Sequence, residues 1–183
     1  MKIIGGIYKG FRLQSFPENE IRPTPSKIRE ALFDIIGTKI IGAEFLDLFA
    51  GSGAVGIEAI SRGAKNVIFV EKNRKAIILI KNNLSKIYQN DFSNIIQIDY
   101  LQAINILNFK QKKFDIIFLD PPYNRNYALN TLHIIDQSNI AKEGCIIIVQ
   151  HPFHTEVKSD FRKLLFTKEK KYGKSKVTFF YYK

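Results

Sequence analysis

The sequence predicts an α/β fold built on a doubly wound, mostly parallel sheet that ends in an antiparallel hairpin. Between residues 44 and 150, short apolar runs alternate with segments of helical periodicity, the pattern of parallel strands joined by crossover helices. Near the end, β-rich runs at residues 161–167 and 177–182 are separated only by a short loop around Gly173, which predicts the hairpin. The length of 183 residues suits one domain with a substantial core.

The first predicted element is a separate hairpin. Residues 2–14 contain two β-rich arms joined by a turn at Lys9 and Gly10. We therefore predict an N-terminal β-hairpin extension over residues 1–20 and a main domain over residues 21–183.

The main domain is predicted to open with a helix. Thr24 can serve as its N-cap, Pro25 suits the first helical position, and Gly37 suits its end. Strands follow at residues 44–49, 67–71, 95–98, 114–120 and 145–150, with helices between them, one of which covers residues 73–87.

Composition argues against several classes of protein. With 45% hydrophobic and 25% charged residues, the chain has a globular composition. No apolar run approaches the roughly 20 residues that span a bilayer, and the first residues do not resemble a signal peptide. A lone Cys145 argues against a disulfide framework, and His133, His151 and His154 lack metal-ligand spacing with it. We expect a cytoplasmic monomer without a metal site or membrane partner.

The net charge of +11 is concentrated at the C-terminal end. Residues 158–183 hold nine Lys or Arg against two Asp or Glu, a balance of +7. Such an excess is typical of a phosphate-binding surface, although lysines also protect edge strands from aggregation. If strand 161–167 runs parallel to the sheet, the basic loop over residues 168–176 lies beside the ligand-binding edge. The candidate phosphate contacts in this loop are Lys170, Lys171 and Lys174.

A glycine-rich segment follows strand 44–49. Gly51, Gly53 and Gly56 have the spacing G-x-G-x-x-G at the opening of a helix, which allows close approach of the backbone to a ligand. Glu71 ends the next strand, where its carboxylate can accept hydrogen bonds from ribose hydroxyls. The pattern fits NAD and S-adenosylmethionine equally, and a purely structural turn is the alternative. The cofactor candidates here are Gly51, Ser52, Gly53 and Glu71.

The motif Asp-Pro-Pro-Tyr at residues 120–123 follows a β-rich run, and ligands bind at the carboxyl edge of such sheets. The Asp120 carboxylate and the Pro121 carbonyl can accept both N–H bonds of an exocyclic amine, which directs the nitrogen lone pair at a sulfonium methyl group. Tyr123 offers a ring on which a base can stack. A capped Pro-Pro turn is the structural alternative. Combined with the glycine motif, the tetrapeptide predicts S-adenosylmethionine-dependent methylation, with Asp120, Pro121 and Tyr123 as catalytic residues.

Two further acidic positions are candidates for cofactor contact. Asp99, followed by Tyr100, comes after strand 95–98, where a side chain could meet the cofactor's adenine. An N-cap role for the next helix is the alternative. Asp47 could contact the amino acid part of the cofactor, directly or through water, or could only stabilise the loop.

With these motifs, the chain resembles the RsmD family of bacterial 16S rRNA guanine-N2-methyltransferases nearly from end to end. The similar segments are residues 3–6, 9–13, 22–24, 29–33, 47–53, 58–64, 70–72, 120–123 and 172–173. Many amino-methylating enzymes share the methyltransferase motifs. The opening hairpin with residues 22–24 and 29–33 is much more specific.

The resemblance implies a Rossmann-like class I methyltransferase with seven strands, which uses S-adenosylmethionine and methylates a guanine N2 of small-subunit rRNA, free or in an assembly intermediate. It also implies that the N-terminal hairpin helps to engage RNA. The resemblance adds Phe49, Ala50 and Lys72 to the cofactor site. It adds Lys9, Arg12 and Arg22 to the RNA surface.

The chain departs from the family pattern at two places. Ser26 and Lys27 replace an acidic and basic pair, and Gln150 stands where the family pattern has Glu after the fifth strand. We expect neither departure to touch the methyl-transfer geometry.

Three other functions compete with rRNA methylation. An amino-methyltransferase could instead act on another rRNA site, on DNA adenine or cytosine, or on a protein glutamine. The short chain leaves little room for DNA target recognition, and a protein substrate needs no basic loop. A nicotinamide-dependent oxidoreductase would leave residues 120–123 unexplained. A non-catalytic RNA-binding protein would not need Asp120.

Overall fold

The structure, a computed structural model, describes residues 1–16, 25–87, 94–123 and 126–183. Arg22, a predicted RNA contact, and Thr24, a predicted helix cap, lie outside the described residues, as does the boundary between residues 20 and 21. The domain division therefore stays a prediction. Among the described residues, no helix is long and apolar enough to cross a membrane.

The elements follow the predicted alternation of strands and helices. The helices are α1 (Ser26–Ile36), α2 (Ala54–Ser61), α3 (Arg74–Leu84), α4 (Tyr100–Phe109) and α5 (Tyr127–Gln137), with a 3₁₀ turn (Gly37–Ile40) after α1. The strands are β1 (Glu44–Asp47), β2 (Asn66–Val70), β3 (Ile95–Ile96), β4 (Phe114–Leu119), β5 (Ala141–Pro152), β6 (Leu164–Tyr172) and β7 (Ser175–Tyr182).

Within the described residues, seven strands form one sheet in the order β3-β2-β1-β4-β5-β7-β6. β2 runs parallel to β1 and β3, and β5 runs parallel to β4, whereas β7 is antiparallel to both of its neighbours. The predicted fold class, a mostly parallel seven-stranded sheet with a C-terminal antiparallel hairpin, is confirmed. The chain divides into two compact units, Met1–Tyr100 and Leu101–Lys183.

Helix α1 begins one residue later than predicted. Pro25 has an extended ψ of 141°, and its carbonyl accepts the N–H groups of Ile28 (2.9 Å) and Arg29 (3.0 Å), so Pro25 precedes the helix instead of opening it. Gly37, at φ 59°, ends the helix as predicted because glycine tolerates a positive φ.

The N-terminal segment folds back on itself, but its turn covers residues 7–10 instead of Lys9 and Gly10 alone, and its described residues form an isolated bridge instead of two paired strands. Lys2 and Arg12 form an antiparallel bridge, and the Ile3 amide donates to the Phe11 carbonyl at 3.0 Å.

A buried carboxylate on α2 holds this segment in place. Glu58 accepts the amides of Ile4 (2.9 Å) and Gly5 (2.7 Å) and the Nε of Arg62 (2.9 Å), and it lies 3.4 Å from the Nε of Arg29. The side chains of Glu58 and Arg29 are fully buried. One short helix that begins at the glycine loop therefore also anchors the N-terminal segment.

The predicted basic loop over residues 168–176 is mostly strand. β6 continues to Tyr172 and β7 starts at Ser175, so only Gly173 and Lys174 form the turn. The loop interpretation was wrong because the backbone of residues 168–172 pairs with β7. Lysine side chains are common on such edge strands, so the lysine content does not indicate a loop. The condition that this strand runs parallel to the sheet is met by β6, since both β5 and β6 are antiparallel to β7.

Candidate active site

The glycine motif forms the connection between β1 and α2 in the first unit. Gly51 (φ 52°) and Gly53 (φ 76°) adopt left-handed conformations that favour glycine. A Cβ on Gly56 would lie 2.3 Å from the Phe69 ring, so this glycine permits close packing of α2 against β2. The spacing of the motif therefore reflects both the turn and helix packing, as expected for nucleotide-binding sites of this fold.

Glu71 lies directly after β2, and its carboxylate organises the loop. One oxygen accepts the Gly51 amide at 2.8 Å, and the other accepts the Asn73 amide at 2.8 Å. Asn73 in turn caps α3 by accepting the Lys75 amide at 2.8 Å. Because each carboxylate oxygen can accept more than one hydrogen bond, Glu71 retains capacity for ligand hydroxyls.

Asp47 is buried at the end of β1. Its Oδ2 accepts the Gly56 amide at 3.0 Å, near the beginning of α2. This contact supports the interpretation that Asp47 stabilises the loop. Ala50 is tied to the next strand by a 2.9 Å bond from its amide to the Val70 carbonyl.

The other predicted cofactor residues of this unit form two pairs. The rings of Phe49 and Tyr100 lie 5.0 Å apart between centroids. The Nζ of Lys72 lies 3.9 Å from the Asp99 carboxylate, and the lysine side chain is largely exposed. Tyr100 begins α4, so Asp99 immediately precedes a helix, consistent with the alternative capping position.

Asn83, on α3, is a buried residue that the sequence analysis missed. Its Oδ1 accepts the Gln14 amide at 2.7 Å, and its Nδ2 donates to the carbonyls of Gln14 (3.1 Å) and Ser52 (3.5 Å). Asn83 thereby joins the end of the N-terminal segment to the glycine loop. The only signal in the sequence is an asparagine between Ile80 and Leu84 on the buried face of a helix.

In the second unit, residues 120–123 follow β4 at its carboxyl end. The Tyr123 side chain is partly exposed (46%), while its hydroxyl lies 3.1 Å from the Ser175 hydroxyl and accepts a hydrogen bond from the Gln150 Nε2 at 3.2 Å. Our expectation that Gln150 would not touch the proposed site was therefore wrong. The reason is the pairing of β5 with β7, in which Gln150 is opposite Val177 and Ser175 is opposite Pro152, so that Gln150 and Ser175 lie near each other at the same end of the strands.

The carboxyl end of β5 also contains a buried histidine. The Nε2 of His151 lies 2.8 Å from the Thr178 hydroxyl, and its Nδ1 lies 3.1 Å from the Pro152 carbonyl. Burial lowers the pKa of His151, and burial raises the pKa of Cys145 in the same strand. Among the described residues, no group of three or more His, Cys, Asp or Glu side chains could hold a metal ion.

The described residues predicted to contact RNA are all exposed: Lys9 and Arg12 in the first unit, and Lys170, Lys171 and Lys174 in the second. Lys171 differs from its neighbours because its Nζ lies 3.8 Å from the centre of the Phe153 ring. The roles of the site residues stay predictions.

Known proteins resemble the chain over most of its length. The Bacillus subtilis protein YlbH is 35% identical over 173 residues, which cover 94% of each chain. Ribosomal RNA small subunit methyltransferase D of Haemophilus influenzae is 33% identical and covers 82% of this chain and 78% of its own. A solved structure of the Escherichia coli protein yhhF superimposes with a TM-score of 0.85 at 27% identity, covering 100% of this chain and 98% of its own.

The family model described as "Conserved hypothetical protein 95" matches residues 1–181. This match covers the N-terminal segment, the glycine loop, the Asp-Pro-Pro-Tyr segment and the C-terminal hairpin. The chain therefore belongs to this family, the RsmD family that its motifs resemble.

Proposed function

We propose that the protein is an S-adenosylmethionine-dependent methyltransferase that methylates the exocyclic N2 amine of a guanine in small-subunit rRNA, free or in an assembly intermediate. Support comes from the relative in Haemophilus influenzae, whose name gives it as a small-subunit rRNA methyltransferase. The fold and the two motifs are consistent with the same chemistry. The target nucleotide goes beyond what that name states.

The first unit fits the proposed cofactor. Backbone amides of a left-handed glycine turn, the Glu71 carboxylate and the adjacent Phe49 and Tyr100 rings offer polar and aromatic partners for a nucleoside. We assign the ribose hydroxyls to Glu71 and the adenine to Asp99 with Tyr100. When bound, S-adenosylmethionine supplies a methyl group on a positively charged sulfur.

In the second unit, residues 120–123 would prepare the acceptor amine. The Asp120 carboxylate and Pro121 carbonyl would accept its two N–H bonds, and Asp120 would receive the proton that the nitrogen loses on methylation. The prolines hold both acceptors in a restricted backbone, which lowers the cost of reorganisation.

The observation that carries the proposal is the combination of exposure and hydrogen bonding at Tyr123. Its ring is partly exposed, whereas its hydroxyl is held by Gln150 and Ser175. A ring that is accessible but fixed in orientation suits the stacking of a base. A nicotinamide-dependent oxidoreductase would have no use for such a ring beside an aspartate and two prolines.

The test uses methyl-labelled S-adenosylmethionine with unmodified small-subunit rRNA, partly assembled small subunits, DNA and a glutamine-containing protein. We expect label in N2-methylguanosine from one of the RNA substrates. Label in DNA or protein would overturn the proposed RNA substrate but still support methyl transfer. Label in another RNA nucleoside would overturn the guanine assignment.

A pair of aspartate variants tests the catalytic assignment. Asp120→Ala should lower kcat by at least about 100-fold while equilibrium dialysis shows nearly unchanged cofactor binding. Asp115→Ala is the matched control, because Asp115 lies in β4 and pairs with Lys142 at 2.7 Å. Equal loss of activity in both variants would contradict the role of Asp120.

A further inference from the structure

We propose that one face of the β6–β7 hairpin binds the nucleotide that flanks the target base. We call it the flank face and define it by Lys168, Lys170, Tyr172 and Ser175. A base would stack on Tyr172, and the lysines would contact the neighbouring phosphates. The inference rests on the proposed function, because it requires an RNA substrate.

Side-chain contacts identify which residues share this face. Successive residues of a strand point to opposite faces, so Lys168, Lys170 and Tyr172 lie on one face of β6. Lys168 is paired with Phe179, and its Nζ lies 5.4 Å from the Phe179 ring centre. Tyr172 is paired with Ser175, so these two side chains are direct cross-strand neighbours.

The flank face continues from the proposed base site. Ser175, which is adjacent to Tyr172, lies 3.1 Å from the Tyr123 hydroxyl through its own hydroxyl. The two tyrosines are thus neighbours of the same small side chain. Because only Ser175 separates the two rings, one base could stack on Tyr123 and the next base on Tyr172. Such spacing suits consecutive nucleotides of a single strand.

The opposite face of the hairpin is less suited to phosphate. The Nζ of Lys171 lies 3.8 Å from the Phe153 ring centre, closer than the 5.4 Å between Lys168 and the Phe179 ring centre. Lys176 pairs with Glu169 at 2.9 Å. Burial alone would raise the pKa of Glu169, but hydrogen bonds from Lys176 and Thr178 and the nearby lysine charges lower it, so Glu169 stays ionised.

The charge balance of the two faces differs accordingly. Between residues 168 and 172, the flank face carries Lys168 and Lys170 without an acidic residue, whereas the opposite face carries one lysine, Lys171, and one acidic residue, Glu169. Lys168 and Lys170 are exposed, Tyr172 is half-buried and Ser175 is buried, so the lysines and part of Tyr172 are the accessible portion of the flank face. Exposed lysines beside an aromatic ring are the features with which proteins bind single-stranded nucleic acid.

The experiment compares single variants of the full chain in methyl transfer to rRNA. Tyr172→Ala should raise the KM for RNA about tenfold with little change in kcat, since flanking contacts act in binding. Tyr172→Phe retains the ring and should restore the wild-type KM. Lys170→Gln should raise KM. It should also reduce the slope of log affinity for RNA against log salt concentration by about one, the value of one lost phosphate contact.

Two further lysine variants separate the faces. Lys158→Gln removes a charge whose Nζ lies over the Phe166 ring, away from the flank face, and should leave KM unchanged. Lys171→Gln should change KM and the salt slope less than Lys170→Gln. Equal effects of Lys170→Gln and Lys171→Gln, or a wild-type KM for Tyr172→Ala, would overturn the inference while wild-type methylation of rRNA still supports the proposed function. If wild-type protein methylates no rRNA, the proposed function fails and the inference fails with it.

Discussion

Removal of the buried Glu58 carboxylate should release the N-terminal segment from α2 and remove a large part of the free energy of unfolding. In Glu58→Leu, Arg29 keeps its buried charge but loses the carboxylate 3.4 Å away, and the amides of Ile4 and Gly5 lose their acceptor. Arginine cannot escape the cost by releasing its proton, although burial lowers its pKa.

The expected cost follows from the burial of both partners. Removing one partner of a fully buried pair costs about 3–5 kcal/mol, and this range already includes much of the loss of the hydrogen bonds. We therefore expect the free energy of unfolding to fall by about 4 kcal/mol, against a typical total of about 5–15 kcal/mol. For a chain of this size, the melting temperature should fall by roughly 10 °C.

Urea unfolding followed by circular dichroism measures the change. Glu30→Ala on the exposed side of α1 is the matched control and should change stability by less than about 0.5 kcal/mol. The double variant with Arg29→Met and Glu58→Leu should recover part of the loss, because no unpaired charge stays buried. A loss below about 1 kcal/mol in Glu58→Leu, or strictly additive losses in the double variant, would refute the reasoning.

Three further predictions concern stability. Gly6→Ala should cost at least about 2 kcal/mol in urea unfolding, since Gly6 has φ 77° and its new Cβ would lie 1.8 Å from the Ser61 carbonyl oxygen; a wild-type midpoint would contradict this. Asp136→Ala should cost about 3 kcal/mol, because its carboxylate accepts the amides of residues 162–164, and Asp160→Ala is the exposed control. Burial lowers the pKa of His151, so the folded state favours the neutral imidazole. Its contribution is present above about pH 6.5 and is lost as the pH falls, and His151→Gln should flatten this part of the stability profile.

The sequence alone determined the fold class and both motifs. Helical and strand periodicities are local properties, so the alternation between residues 44 and 150 was sufficient to predict a mostly parallel sheet, which the structure confirms. The sequence also predicted that Gly37 ends its helix, because a positive φ favours glycine. It did not predict that Gly56 packs against Phe69.

The tertiary structure decided which distant side chains meet. Gln150 contacts Tyr123 across 27 residues of sequence, Asn83 contacts Gln14 across 69, and Glu58 contacts Ile4 across 54. No local pattern encodes such pairs, since each depends on how strands and helices pack. The same reason explains the error at residues 168–176. A lysine-rich segment looks like a solvated loop until the backbone hydrogen bonds of a neighbouring strand make it an edge strand.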